Sequence, residues 1–252
     1  VFADVRPSDL TLDPEAVEAA VTPRTCAIVP VHVYGSLCDV DALQAIADRH
    51  GVKLVYDAAH AFGVERRSPA TGEWEGAASF GDASMLSFHA TKVFHTIEGG
   101  AVAYRDEALT TPLQMQKNYG ITSPETVEVC GGNSKMSEFQ AAMGLCNLRH
   151  LDEEIAKRKK VVEHYRERLS GVEGIKLSAI QENVESNYAY FPVVFDGYKY
   201  TRKEIFEMLS EQGITARKYF YPLTNSFECY RNYPTAGTEK TPVAQHLVLR
   251  VL

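Results

Sequence analysis

The sequence lacks the features that mark membrane and nucleic-acid-binding proteins. No apolar run approaches the roughly 20 residues that a membrane-spanning helix needs. Acidic residues outnumber basic ones and the net charge is −7, so there is no basic surface for a nucleic acid and no polybasic membrane patch. These absences exclude a membrane-spanning chain and argue against nucleic acid or a lipid surface as a partner.

Cysteine is scarce and shows no pattern. The chain of 252 residues has five cysteines, an odd number without metal-ligand spacing: Cys26, Cys38, Cys130, Cys146 and Cys229. This usage predicts reduced thiols in a cytoplasm and no metal site, because a disulfide framework uses paired cysteines. The length suits one large domain or two modest ones.

One stretch, residues 85–102, combines an amine with surroundings that would desolvate it. An apolar run at 83–86 predicts a short buried strand, and a second at 101–104 follows two glycines. Ser87, His89 and Lys92 fall on the loop between them. A lysine held there loses its proton more readily, as attack on an aldehyde requires. A lone loop lysine is usually solvated and inert, so the interpretation needs a second feature.

That feature is Asp57, which directly follows the apolar run at 52–56. Open α/β sheets bind ligands at the carboxyl ends of their strands, where this carboxylate would lie. Considered alone, Asp57 is more simply a helix N-cap. Together, Asp57 and Lys92 are the two groups that pyridoxal phosphate needs above all: a lysine for the Schiff base and a carboxylate for the pyridinium nitrogen.

Local signals predict an α/β fold. Asp13 followed by Pro14 begins a helix, and a second runs from Asp39 to Gly51 between β-rich segments at 27–33 and 52–56. A strand, a helix and a strand of this length form a βαβ unit of a parallel sheet. Between Gly63 and Gly81 we expect a polar excursion or hairpin with solvated arginines.

The second half of the chain carries two capping boxes, Ser137 with Gln140 and Thr201 with Glu204. The helix after Ser137 carries Phe139, Met143, Cys146 and His150 on one stripe, of which Met143 and Cys146 are predicted to pack in the core. A long helix from about residue 152 leads into a smaller domain that opens with a strand at 188–195. We therefore predict domains at 1–152 and 153–252.

Three segments resemble one family. They are Tyr-Asp-Ala-Ala-His-Ala-Phe-Gly at 56–63, Ser-Phe-His-Ala-Thr-Lys-Val-Phe-His-Thr-Ile-Glu-Gly-Gly-Ala at 87–101, and residues 133–142. They resemble the DegT/DnrJ/EryC1/StrS sugar aminotransferases, pyridoxal-phosphate enzymes of the aspartate-aminotransferase fold, and look most like those making dTDP-4-amino-4,6-dideoxyglucose. The resemblance covers nearly the whole chain. It implies a three-layer fold, a mostly parallel sheet between helices, with a smaller α+β C-terminal domain.

The resemblance assigns roles to five residues. It makes Lys92 the catalytic residue and the covalent attachment of pyridoxal 5'-phosphate, and Asp57 the partner of its ring nitrogen. It implies that His60 contacts the ring 3-oxygen and that Ser87 binds the phosphate. Asn133 matches a residue that reaches the phosphate of the partner subunit's cofactor, which implies a homodimer with shared active sites.

The resemblance also implies the reaction, transfer of an amino group from L-glutamate to a nucleotide-linked 4-keto-6-deoxy sugar for surface polysaccharide or glycoside biosynthesis. Whether the sugar's C3 or C4 reacts stays open, and no role carries over to His95. Candidate substrate contacts are His89, Asn187, Tyr188, Tyr219 and Tyr221.

Alternatives on the same cofactor are less favoured. Cysteine desulfurases need a reactive mobile cysteine, and dehydratase relatives replace the Schiff-base lysine with histidine. A regulatory, catalytically incompetent cofactor-binding protein stays open. Because both ends look cut and the family's N-terminal phosphate cradle is not found, we expect a fragment that binds the cofactor weakly.

Overall fold

The computed structural model describes residues 1–252, which form seven α-helices and eleven β-strands. The helices are α1 (Pro14–Ala20), α2 (Val40–His50), α3 (Thr110–Lys117), α4 (Glu138–Leu148), α5 (Leu151–Leu169), α6 (Arg202–Glu211) and α7 (Pro242–Val248). The strands are β1 (Ala27–Ile28), β2 (Lys53–Asp57), β3 (Glu65–Arg67), β4 (Trp74–Gly76), β5 (Ala83–Ser87), β6 (Gly100–Tyr104), β7 (Ile121–Ser123), β8 (Thr126–Val127), β9 (Ile175–Leu177), β10 (Val184–Glu185) and β11 (Val193–Phe195). None of the helices is long and apolar enough to cross a membrane.

A four-stranded sheet in the order β1-β2-β5-β6 organises the first half of the chain. β1, β2 and β5 are parallel and β6 is antiparallel, and α2 connects β1 to β2 as the sequence predicts. Asp57 pairs with Met85 in the sheet, so the carboxyl ends of β2 and β5 are neighbours. The mixed α/β architecture with a parallel sheet is therefore confirmed.

The main core lies between this sheet and α2. It is a cluster of fifteen buried residues, including Leu43 and Ile46 from α2 and Leu54 from β2. The bounds of α2 are set locally, as predicted. The Asp39 carboxylate accepts the Ala42 N–H at its start, and Gly51 ends it with a φ of 62°.

Helix α4 begins with the predicted capping box, but its apolar stripe is not core. Met143 is 37% exposed and Cys146 is also exposed, so the prediction of core packing is wrong for both. Phe139, on the same stripe, is 87% exposed. Its one buried residue is Gly144. A Cβ at Gly144 would lie 2.9 Å from Thr96 Cγ2 and 3.5 Å from the Phe94 ring. The helix therefore packs on the body of the protein through its smallest side chain.

Two predicted strands are shorter than expected. β1 has two residues, and after one further bridge from Val31 to Asp57 the chain turns at Val33–Gly35, where Tyr34 has a φ of 60°. Within the segment 188–195 only β11 pairs as a strand, and Tyr188 at the start of the segment has a φ of 51°. Both segments therefore contain a left-handed backbone position on a non-glycine residue, which sequence patterns rarely reveal.

The excursion after Gly63 is the β3–β4 hairpin, but Arg66 on it is not solvated. Its side chain is 17% exposed, and its guanidinium contacts Asp41 at 2.7 Å and Glu75 at 3.1 Å. It also lies 4.9 Å from the centre of the Phe80 ring. Arg66 therefore ties the hairpin to α2 rather than facing water.

The predicted division at residue 152 is crossed by strand pairing. β10 is antiparallel to β3, so a segment assigned to the second domain joins a sheet of the first. The Gln181 amide reinforces the junction, because it accepts the Leu37 N–H at 2.9 Å and donates to the Leu37 carbonyl at 2.7 Å. The two-domain division stays a prediction, but residues 181–187 are attached to the first domain.

Candidate active site

Lys92 lies on the loop between β5 and β6, as the sequence predicts, and its ammonium group is partly desolvated. Burial lowers the pKa of Lys92 below its usual value, while the charge of the Asp57 carboxylate acts in the opposite direction. The two groups that the sequence singled out therefore interact across the carboxyl ends of neighbouring strands. A lysine in this environment loses its proton more readily than one in water.

Three phenylalanines hold the Lys92 loop against the loop that follows Asp57. Phe88 and Phe94 are buried and flank Lys92 in sequence. Their rings pack on Phe62, with centroids 5.5 Å from Phe62 for Phe88 and 4.5 Å for Phe94. Aromatic pairs of this geometry stabilise beyond their area alone. The spacing of the motif thus places an apolar anchor on each side of the reactive amine.

Only one of the two oxygens of the Asp57 carboxylate has a hydrogen-bond partner within the protein. Its Oδ1 atom accepts the Ala59 N–H at 3.0 Å, and its Oδ2 atom has no hydrogen-bond partner within the chain. Asp57, Ala59 and His60 line a mostly apolar cleft of about 470 Å³. A half-buried carboxylate with a free oxygen, directed at an apolar cleft, is suited to pair with a cation on a bound ligand.

His60 is enclosed by aromatic rings. Its imidazole stacks on Phe220 at 5.6 Å and contacts Tyr190 at 4.6 Å between ring centres, with Tyr34 at 6.5 Å. Burial, with a smaller effect of the Lys92 charge, lowers the pKa of His60 from 6.5 to about 4. The ring is therefore neutral at physiological pH.

The other two predicted cofactor residues, Ser87 and Asn133, make few side-chain contacts within the chain. Ser87 is the last residue of β5, and its hydroxyl makes only a long contact of 3.4 Å with the His89 N–H. It is therefore free to bind a ligand. Asn133 is exposed in a short bridge with Asn118 and makes no hydrogen bond to Asp57 or Lys92. Nothing within this chain uses its side chain.

Three of the predicted substrate residues lie on the protein surface near the aromatic rings. Tyr219 accepts a hydrogen bond from Arg217 at 2.6 Å through its hydroxyl, and its carbonyl accepts the Tyr34 hydroxyl at 2.5 Å. Tyr221 is 55% exposed and lies beneath the Arg202 guanidinium. Tyr219 and Tyr221 line an open groove of about 570 Å³, whereas Tyr188 lines a separate cavity of about 190 Å³.

The other two predicted substrate contacts already have partners within the chain. Asn187 is fully buried, and its amide bonds to backbone groups of His60, Phe62 and Ala189. His89 is engaged locally, with Nδ1 at 2.8 Å from the Thr91 hydroxyl. His95, to which the resemblance gave no role, connects the Lys92 loop to α4, because its carbonyl accepts a hydrogen bond from the Asn147 side-chain amide at 2.8 Å.

The sequence did not single out Tyr34, Tyr190 and Phe220, which surround His60. Phe220 lines both the cleft beside Asp57 and the groove of Tyr219 and Tyr221, so it separates the two. The only signal in the sequence was the density of aromatics at 217–221. Which of them would face His60 depends on the path of the chain between elements more than a hundred residues apart.

The residues present fit pyridoxal phosphate. The partly desolvated Lys92 amine suits its aldehyde, and the free Asp57 oxygen suits a protonated ring nitrogen. The Ser87 hydroxyl is available to a phosphate. Each group is a donor, acceptor or nucleophile of the required kind, and they converge from adjacent strand ends.

Comparison with known proteins agrees with this chemistry. The chain is 41% identical to the dTDP-4-amino-4,6-dideoxy-D-glucose transaminase of Shigella dysenteriae over 233 residues, 92% of this chain and 62% of the relative. It is 37% identical to the Escherichia coli enzyme of the same name over 256 residues, 100% of this chain and 67% of the relative. The chain thus spans about two thirds of these relatives.

A solved structure and a family model extend the comparison to every residue. The crystal structure of DesI in the presence of its TDP-sugar product superimposes with a TM-score of 0.87 at 38% identity, covering 100% of this chain and 62% of DesI. The model of the DegT/DnrJ/EryC1/StrS aminotransferase family matches residues 1–252. On its sequence and its fold, the chain belongs to the DegT/DnrJ/EryC1/StrS aminotransferase family.

Proposed function

We propose that this protein is a pyridoxal-phosphate-dependent aminotransferase. It would transfer the amino group of L-glutamate to the keto carbon of a nucleotide-linked 4-keto-6-deoxy sugar, with a dTDP-sugar as the preferred substrate. The substrate class is that of the relatives, two of which are named as dTDP-sugar transaminases. The odd number of cysteines is consistent with the predicted cytoplasmic location.

The observation that carries the proposal is the placement of Lys92, on the loop after β5, close enough to Asp57, at the end of the neighbouring β2, for the two charges to interact. Burial lowers the pKa of Lys92, and the Asp57 carboxylate keeps one oxygen free beside the apolar cleft. An amine and an acid placed in this way are the two requirements of the cofactor. A regulatory protein without catalysis is not favoured, because the relatives are transaminases.

Each residue contributes a separate part of the chemistry. Pyridoxal phosphate, when bound, supplies an aldehyde that exchanges amino groups and a ring that withdraws electrons from the reacting carbon. Lys92 would hold the cofactor and, when its amine is free and neutral, carry a proton to and from that carbon. Asp57 would keep the ring nitrogen positively charged, and Ser87 would bind the phosphate.

The surroundings of His60 determine what it can do. Because its ring is neutral and its Nδ1 atom accepts the Tyr34 N–H at 3.0 Å, its Nε2 atom carries the proton. His60 would therefore donate a hydrogen bond to the ring oxygen rather than contribute a charge. The aromatic rings packed around it exclude water from that side of the site.

The direct test is an amino-transfer assay. With L-glutamate and a dTDP-4-keto-6-deoxyhexose, the purified, cofactor-loaded protein should form 2-oxoglutarate and an amino sugar, with little or no transfer to keto acids other than 2-oxoglutarate. A site that binds particular hydroxyl groups rejects analogues lacking them by a factor of about 10⁴ or more. NMR of the product decides between C3 and C4. Equal transfer to pyruvate and to the sugar would contradict the proposed substrate class.

We also propose a homodimer with composite sites. The support is Asn133, whose exposed side chain is not used within its own chain and which lies in a segment resembling the family's partner-contacting loop. A two-fold dimer is the commonest assembly and places the same residue at both sites. L-glutamate, the nucleotide sugar and a second copy of the chain are therefore the proposed partners.

Complementation between subunits tests this assembly. Lys92→Ala and Asn133→Ala proteins should each be impaired, whereas a mixed dimer has one site with both residues intact. After subunit exchange, activity should rise toward about a quarter of the wild-type value, because statistical mixing makes half the molecules heterodimers with one intact site of two. Mixing Lys92→Ala with Lys92→Ala protein is the control. If subunit exchange is confirmed but activity does not recover, the proposal of a composite site is wrong.

A further inference from the structure

The Asn187 amide connects two parts of the chain that are 127 residues apart. Its Nδ2 atom donates to the His60 carbonyl at 2.7 Å and to the Phe62 carbonyl at 2.9 Å. Its Oδ1 atom accepts the Ala189 N–H at 3.0 Å, and the side chain is fully buried. All the contacts of this amide are with main-chain groups, so it holds backbone on both sides of residue 61 in one place.

Strand pairing brings Asn187 to this position. β10 pairs antiparallel with β3, which begins three residues after Phe62, and Asn187 comes two residues after the end of β10. The chain therefore continues alongside the 60–62 loop after the last strand pair. There the Asn187 amide replaces the hydrogen bonds of a continued strand ladder, since it donates to the His60 and Phe62 carbonyls.

The His60 ring is held from a second direction by the 34–35 turn. Tyr34 has a φ of 60° and Gly35 a φ of 85°, and this turn directs the Tyr34 N–H at His60 Nδ1. A Cβ at Gly35 would lie 2.8 Å from Asn187 Oδ1 and 3.3 Å from the His60 carbonyl. The turn, the Asn187 amide and the His60 main chain are therefore packed against one another, and this packing requires glycine at position 35.

We propose that Asn187 is a positioning residue of the active site: it fixes the main chain of His60 so that the ring accepts at Nδ1 and presents an Nε2–H donor. This inference rests on the proposed function only for the acceptor of that hydrogen bond, which is the cofactor's ring oxygen. Asn187 itself touches neither substrate nor cofactor. Without it, the 60–62 loop would lose two hydrogen bonds, and the distance from Nδ1 to the Tyr34 N–H would no longer be fixed.

Few charged or titratable groups face His60, so the pKa of its ring reports whether the ring is held in place. Lys92 is the charged group that lowers its pKa, and Asp57 lines the same cleft. The aromatic rings in contact are Tyr34 and Tyr190, both titratable, and Phe220. Burial lowers the pKa of His60 to about 4, and burial is lost when the ring becomes mobile.

The tautomer can be measured in the cofactor-free protein. Long-range ¹H–¹⁵N correlation spectra of ¹⁵N-histidine protein show which ring nitrogen carries the proton, and a His60→Gln spectrum assigns the signal. Wild-type His60 should be a single Nε2–H tautomer that titrates near pH 4. An Nδ1–H tautomer, or titration at the ordinary value of about 6.5, would overturn the proposal.

Two variants disturb the contact from opposite sides. Asn187→Ala removes both donors, and Gly35→Ala inserts a Cβ against Asn187 Oδ1. In either variant His60 should become a mixture of tautomers, with a midpoint about one pH unit or more above the wild-type value. For Asn187→Ala, His32 is the internal control, because it is also buried, its Nδ1 accepts the Cys38 N–H, and it has no bond to Asn187.

The outcomes separate positioning from general stability. A changed His60 signal with an unchanged His32 signal in Asn187→Ala supports the proposal. Unchanged His60 in a folded variant overturns it, and so does loss of the His32 signal in Asn187→Ala, since Asn187 would then support the whole fold. A protein that failed the amino-transfer assay while showing the expected His60 pattern would contradict the proposed function and leave this inference standing.

Discussion

Replacing Lys92 by alanine should abolish amino transfer, with a loss of at least about 10⁴-fold, because the residue is assigned both the covalent attachment and the proton transfer. The chemistry at this site depends on an amine that burial has made less basic, and no other lysine is described beside Asp57. The assay is turnover of L-glutamate with the keto sugar. Borohydride reduction of the cofactor-loaded wild type, followed by peptide mapping, should place the label on Lys92.

The matched control is Lys53→Ala. Lys53 lies at the other end of the strand that ends in Asp57, where it is 69% exposed and paired with Asp82. An exposed pair of this kind contributes little to stability because water screens it, so folding and activity should change little. A label found on Lys53, Lys117 or Lys135 in place of Lys92 would show that the reactive amine has been assigned to the wrong residue.

Replacing Asp57 by asparagine should weaken cofactor binding and slow transfer further. The variant keeps an oxygen for the Ala59 N–H, so the loop geometry should survive while the charge is lost. Removing one partner of a fully buried charge pair costs about 3–5 kcal/mol, and for half-buried Asp57 we expect affinity for the cofactor to fall about 10- to 100-fold. Equilibrium titration of the cofactor absorbance measures this loss.

The same variant makes a second, independent prediction about Lys92. The Asp57 carboxylate raises the pKa of Lys92 against the effect of burial, so its removal should lower that pKa further. The pH at which Lys92 becomes reactive should therefore move down, which pH-dependent modification of the amine measures. Asp48→Asn, on the exposed side of α2, is the control. If Asp57→Asn keeps full affinity for the cofactor and the pH profile of Lys92 modification does not move, Asp57 is not part of the cofactor site.

The sequence alone determined the parts of this protein that depend on neighbouring residues. The caps at Asp13, Asp39, Ser137 and Thr201 begin helices where expected, because a cap needs only a side-chain oxygen and the first N–H groups of its own helix. Asp57 and Lys92 were found in the same way. Each follows an apolar run that forms a strand of the four-stranded sheet, and strand ends of a parallel sheet meet at one edge.

Only the tertiary structure decided where the remaining side chains lie. The apolar stripe of α4 has the period of a core helix, yet Gly144 packs inward and Phe139 faces solvent. Asn187 was expected at the substrate and is instead buried against the loop of His60. Periodicity reports which face of an element is apolar, whereas burial depends on what other elements cover it. Those contacts join residues far apart in the chain, such as His60 and Asn187, which are 127 positions apart.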